Sequence, residues 1–193
     1  MTITKTKLGI ANSSLLRLGH PRIASFTEGS LAAEVINGMY EIIKGNALSQ
    51  HNWRFALRET TLAQATDRGY GGTEYTYAYD LPPKSLRLLG LDNNTSFEIF
   101  GSQIYTNAES VIAIYIEDVD ESMFPAYFVE ALSLQISADV SMAIDEDMPK
   151  SRLQHELASR QWVRSRHKDS MTSPTVSLSG AIGRMLSRES QRL

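Results

Sequence analysis

Apolar residues recur at helical spacing in four stretches of the chain, and between the second and third stretch the pattern breaks into short alternating runs. From Thr4 to Leu18 the stripe is Leu8, Ala11, Leu15, Leu16 and Leu18, and Gly19, His20 and Pro21 stop it with a cap-like glycine and a proline. A longer stripe runs from about Ser30 to Gln50 through Leu31, Val35, Ile36, Met39, Tyr40, Ile42, Ile43 and Leu48. Thr27 and Ser30 both suit its N-cap. Gly38 and Gly45 weaken it by about 1 kcal/mol each relative to alanine unless close packing requires them. The third stripe, from Met123 to Ile144, is the most apolar and predicts the central core helix, with Ser122 as N-cap and Pro125 in the first turn. Asp145, Glu146, Asp147 and Pro149 break the pattern. A polar helix is expected from about Lys150 to Arg166, anchored by Leu153, Leu157, Trp162 and Val163 along one narrow stripe.

Between Trp53 and Glu117 the runs are short and β-like. Trp53–Leu57 alternates, Glu74–Tyr79 alternates threonine with tyrosine, and Leu86–Leu91, Phe97–Phe100 and Gln103–Thr106 are short apolar pieces. Val111–Ile116, rich in β-branched residues, is the clearest strand. Turn residues at 69–72, 82–83, 92–94 and 106–107 separate them. The expected fold class is therefore α+β: a bundle of about four helices, with a small antiparallel sheet of four or five strands inserted between the second and third. The corresponding divisions are 1–52 (helical), 53–117 (sheet insertion), 118–168 (helical) and 169–193, an extended C-terminal arm.

Composition sharpens this picture. The 193 residues are 42% apolar and 21% charged, which suits one folded domain and not a disordered chain. Cysteine is absent, which excludes disulfides, thiolate zinc sites and cysteine nucleophiles. No apolar run approaches the roughly 20 residues of a membrane span, and the N-terminus lacks a signal-peptide core, so a soluble, unexported chain is expected. The net charge of −3 conceals an asymmetry: residues 1–149 carry 10 Lys/Arg against 19 Asp/Glu, whereas 150–193 carry 9 against 3. An acidic body with a basic tail suits docking on an acidic partner or on nucleic acid, or simply a solvated basic helix and terminus.

Catalytic signals are sparse. His20, His51, His155 and His167 are scattered without metal-ligand spacing, and no nucleophile elbow or P-loop occurs; Gly69–Gly72 reads as a loop. No metal or cofactor and no enzymatic activity are expected. Glu117, Asp118, Asp120 and Glu121 hold enough carboxylates for glycoside hydrolysis, but they read more simply as a solvated turn whose charge favours the helix start that follows. Tyr70, Tyr75, Tyr77 and Tyr79 offer stacking surfaces, yet Arg68 alone faces Asp67 and Glu74, so an aromatic face buried at a subunit or domain contact is the better reading. Arg160, Arg164, Arg166 and Lys168 recur at roughly helical spacing and suit either phosphates or the ion-pair rim of a protein interface.

The order of landmarks resembles the tail tubular protein A family of short-tailed bacteriophages, the ring between portal and tail nozzle. The resemblance rests on Ala11-Asn12 to Leu18-Gly19 with Pro21-Arg22-Ile23, on His51-Asn52-Trp53-Arg54-Phe55-Ala56, and on Tyr77-Ala78-Tyr79-Asp80-Leu81-Pro82. It continues through Gly101–Thr106, the strand Ile112–Ile116 and Met123-Phe124-Pro125-Ala126-Tyr127-Phe128, covering about Leu8 to Arg166. It implies a structural virion protein made in the host cytoplasm, forming a homo-oligomeric ring, typically of twelve copies. Its partners would be the portal protein, the tail nozzle protein and phage DNA passing without specific binding; no membrane is involved. On this reading the basic segment docks on the portal through Arg160, Arg164, Arg166, Lys168, Ile182, Arg184, Met185 and Leu186, backed by apolar Val176 and Leu178. Two alternatives stand beside it. One is a tail-associated polysaccharide-degrading enzyme; the other is a nucleic-acid-binding accessory protein using Arg164, Arg166, Lys168, Arg184 and Arg188, whose affinity would fall steeply with salt.

Overall fold

The computed structural model describes residues 5–72, 74–92 and 95–172. The chain is mixed α+β: the described residues form four α-helices and two small antiparallel sheets, the sheets lying between the second and third helices in sequence. Helix α1 spans Lys7–Leu18; Thr6 caps it by accepting from the Gly9 amide, and Gly19 ends it at φ 84°, a left-handed turn where a side chain would be strained. Helix α2 spans Leu31–Ser49 with Ser30 as N-cap, its hydroxyl accepting from Ala33 N–H while donating to Glu28. Helix α3 spans Ala126–Asp145 and α4 spans Met148–Met171, capped by Asp147 on the Lys150 amide.

Helix α3 is the hub, touching α1, α2 and α4. Its contacts with α1 are close because buried serines replace larger side chains: Ser137 donates to the carbonyls of Ser133 and Ser14. The core gathers Ile10, Leu15, Ile36, Tyr40, Leu48, Phe128, Leu132 and Ile136 from the first three helices. At its edge the rings of Trp53, Phe55, Phe124, Phe128 and Trp162 meet at 4.7–5.9 Å, mostly edge to face.

Six strands form the insertion: β1 (Leu57–Thr61), β2 (Tyr77–Asp80), β3 (Ser85–Leu91), β4 (Phe97–Phe100), β5 (Gln103–Thr106) and β6 (Ile112–Glu117). They make two three-stranded sheets, β1-β6-β3 and β2-β5-β4, and not one sheet of four or five strands. The split follows from β6, whose two faces both meet apolar partners. Ile116 enters the helical core together with Leu57, Leu86 and Leu89, whereas Ala113 and Tyr115 pack with Tyr79 and Ile104 of the second sheet. The first sheet is thus a middle layer between helices and second sheet. Gly101, at φ 60°, closes the β4–β5 hairpin.

Three expected boundaries move. Trp53–Ala56 is a turn, and the strand begins only at Leu57, because the Trp53 indole donates to the Ala47 carbonyl and its ring fills the aromatic cluster. Ser122 lies within a single 3-10 turn, Glu121–Met123, and α3 starts after Pro125, since a residue preceding proline disfavours helical geometry and holds Phe124 extended. Helix α4 continues five residues past Arg166, so 169–171, expected in the arm, are helical, held by the buried Asp169. Among the described residues no helix is long and apolar enough to cross a membrane.

Candidate interaction surface

Helix α4 buries Ser151, Gln154, Ala158, Trp162, Ser165 and Asp169, one residue every third or fourth position. The narrow stripe is as expected, but its membership is not. Leu153, Leu157 and Val163 point outward and are 54%, 38% and 61% exposed. Trp162 sets the rotation: with its ring in the aromatic cluster, the small residues one turn either side must face α3. Those small residues allow close approach, Ala158 against Leu134 and Ala138, and Ser165 donates to the Tyr127 carbonyl at 2.8 Å.

The outward strip therefore reads Leu153, Leu157, Arg160, Arg164 and Lys168, with Val163 beside it. Arg160 pairs with Glu156 one turn back at 2.5 Å. Arg164 makes no ion pair among the described residues. Arg166 departs from the others: it is partly buried and near enough to His51 to disfavour protonation of that imidazole. Ile182, Arg184, Met185 and Leu186 lie outside the described residues.

Near the C-terminal end of α4, Asp169 forms a buried junction. Its carboxylate accepts from Tyr127 Oη at 2.7 Å and from the Arg54 amide at 3.2 Å, with His51 Nε2 at 3.8 Å. Burial and the Asp169 charge push the Tyr127 phenol well above its ordinary range, keeping it a neutral donor. Burial holds the His51 imidazole below its usual value, with Arg166 and Arg87 adding to the effect and Asp169 opposing it.

The acidic turn is occupied by cations. Arg58 Nε pairs with Glu117 at 2.9 Å, and the buried Lys44 ammonium lies 3.0 Å from Asp118 and 3.7 Å from both Glu121 and Glu41. A second node joins α1, α3 and α4: Asp145 accepts from His20 at 2.5 Å and forms an ion pair with Lys150 at 2.7 Å, and Lys150 donates to the Leu18 carbonyl. Burial alone would raise the Asp145 carboxyl, but the lysine and histidine outweigh it and hold it below the ordinary range. The tyrosine group divides: Tyr79 is buried between the sheets, whereas Tyr70 is exposed and stacks on Phe100 at 4.5 Å. Among the described residues no three His, Asp or Glu side chains gather as a metal site.

Reading for motifs missed a cavity of about 120 Å³ between α2, α3 and α4. Ile43, Asn46, Ala47 and Gln50 line it from α2, Gln135 and Asp139 from α3, and Trp162 from α4. The Trp162 indole donates to Gln135 Oε1 at 3.0 Å, and Gln135 Nε2 donates to both Asp139 oxygens at 2.9 and 3.1 Å. Burial pushes the Asp139 carboxyl above its ordinary range, and the Gln135 bond and His155 offset only part of that. The available signal was the pair Gln135 and Asp139, four residues apart in the most apolar helical stretch.

No protein-family model matches the chain, and no curated protein matches it in sequence.

Proposed function

We propose that this chain is a non-catalytic connector of a short-tailed phage virion, copies of it joining head to tail in a ring between portal and tail nozzle, with the twelve copies that the family resemblance implies. The outward strip of α4 carries the proposal. A helix whose buried stripe is small or polar apart from Trp162, while Leu153, Leu157 and Val163 face out among arginines, has the apolar centre and charged rim of a protein interface. A head-to-tail ring requires two different faces on each copy, and the outward strip of α4 and the exposed side of α2 are two such faces. An acidic body around the channel would repel DNA and let it slide.

The glycan-hydrolase alternative is weakened by the pairing of Glu117 with Arg58, which braces β6 on β1, and of Asp118 and Glu121 with Lys44, which ties α2 to the segment after β6. The test is the mass of the full chain with and without a cognate portal ring, by native mass spectrometry. Stoichiometric decoration of the ring supports the proposal; a chain that leaves the portal bare at saturating concentration overturns it. Removal of the residues after Thr172 tests the basic segment, and it spares Asp169 and the last turn of α4. Attachment should be lost with an unchanged thermal melt.

A further inference from the structure

The cavity between α2, α3 and α4 is too small for an ordinary ligand. Small-molecule sites occupy roughly 300–1,000 Å³, and this one holds about 120 Å³, the scale of one side chain or a small ion. Its chemistry is specific. The indole of Trp162 has only a donor, so the Gln135 amide must turn its oxygen to the tryptophan and its NH2 to Asp139. That relay fixes the carboxylate without neutralising it. An ionised carboxylate has about four acceptor directions, of which Gln135 uses two. The side-chain amides of Asn46 and Gln50, also on the cavity wall, make no hydrogen bond among the described residues. The remaining walls, Ile43, Ala47 and the Trp162 ring, are apolar.

A half-buried carboxylate with open lone pairs beside the Trp162 indole, and the exposed amides of Asn46 and Gln50 at the rim, suit a flat, multi-donor cation. An ammonium is compact and strongly hydrated and would leave the apolar walls and several acceptors unmet; a guanidinium presents five donors in a plane and stacks on aromatic rings. We infer that this cavity is a receptor for a guanidinium group, filled in the assembled state by Arg164 of a second copy of the chain.

Four exposed arginines, Arg22, Arg54, Arg152 and Arg164, make no ion pair or side-chain hydrogen bond among the described residues, and of these Arg164 has Val163 and Leu157 exposed beside it on the α4 strip. Arg164 lies on the outward side of α4, away from its own cavity-lining Trp162 face. Val163, Leu157 and Leu153 accompany it and would exclude water around the inserted charge. The neighbouring Arg160 is held by Glu156. The contact joins the outward strip of one copy to the α2–α3–α4 groove of the next, a heterologous pairing that propagates around a ring. The choice of a second copy rests on the connector reading; guanidinium recognition by the cavity does not.

The experiment follows the Trp162 indole N–H and the Gln135 side-chain amide by NMR in the full chain while methylguanidinium is added at millimolar concentration. Both signals should shift saturably, and Asp139→Asn, folded by its melt, should weaken that binding by roughly tenfold or more, as loss of a charged hydrogen-bond partner requires. A shift that does not saturate, or that is the same in Asp139→Asn, overturns the inference whatever the chain does on a portal. Portal-ring decoration is then compared for wild type, Arg164→Gln, Asp139→Asn and Arg152→Gln. Loss in the first two variants with Arg152→Gln unaffected, and recovery when Arg164→Asp and Asp139→Arg are combined in one chain, supports the second-copy contact, because the swap would not restore a direct contact of Arg164 with the portal. Normal decoration by Arg164→Gln overturns Arg164 as the occupant. A wild-type chain that binds methylguanidinium but leaves the portal bare overturns the connector reading alone.

Discussion

Asp139 and Asp145 lie six residues apart on one helix and titrate in opposite senses. Burial raises the Asp139 carboxyl above the ordinary range, so its contribution to stability is fully present below the unfolded value and is lost as pH rises through the folded one. At neutral pH the charge is therefore a liability in the free chain. Asp139→Asn, which preserves shape, should raise the melting temperature at pH 7, and the gain should vanish in acid; melts across pH check it. A carboxylate retained against stability is typical of a binding site. Asp145 reverses the sign. Lys150 and His20 hold it below the ordinary range, so its stabilisation is present above the unfolded value and is lost as pH falls through the folded one. Lys150→Met should lower stability at neutral pH and flatten its acid dependence below pH 4 or so, read by urea midpoints.

For the secondary elements, the helices were legible because each carries a periodic stripe and a local stop. Gly19 ends α1 in a left-handed turn, and Ser30 caps α2, both by interactions within a few residues. What the sequence hid was decided at long range. The rotation of α4 depends on where Trp162 finds its aromatic partners, and leucines at 153 and 157 outweigh serines in any reading by hydropathy. The division into two sheets depends on which strands pair across β6, and the Asp139 cavity needs residues from three helices. The consequence is measurable. Phe128→Ala, in the centre of the aromatic cluster, should destabilise by about 3–5 kcal/mol, whereas Leu153→Ala should stay within about 0.5 kcal/mol of wild type by chemical denaturation. Gly38 is also informative: it is exposed in the middle of α2, with open space where a Cβ would be. Gly38→Ala should stabilise the isolated chain by about 0.5–1 kcal/mol in the same assay.

Across the whole molecule, the helices, first sheet and second sheet are stacked in that order, and the chain leaves the described region at the end of α4. That exit point is not a loose end. Asp169 ties the last turn of α4 at once to Tyr127 in the first turn of α3 and to the Arg54 amide, where the chain passes from α2 toward β1. Tension applied beyond Thr172 would run along this carboxylate into the root of the sheets and the start of the central helix together. The fold has no slack hinge at that point: a tug on its C-terminal segment loads the helical layer and the neck of the β insertion as one body.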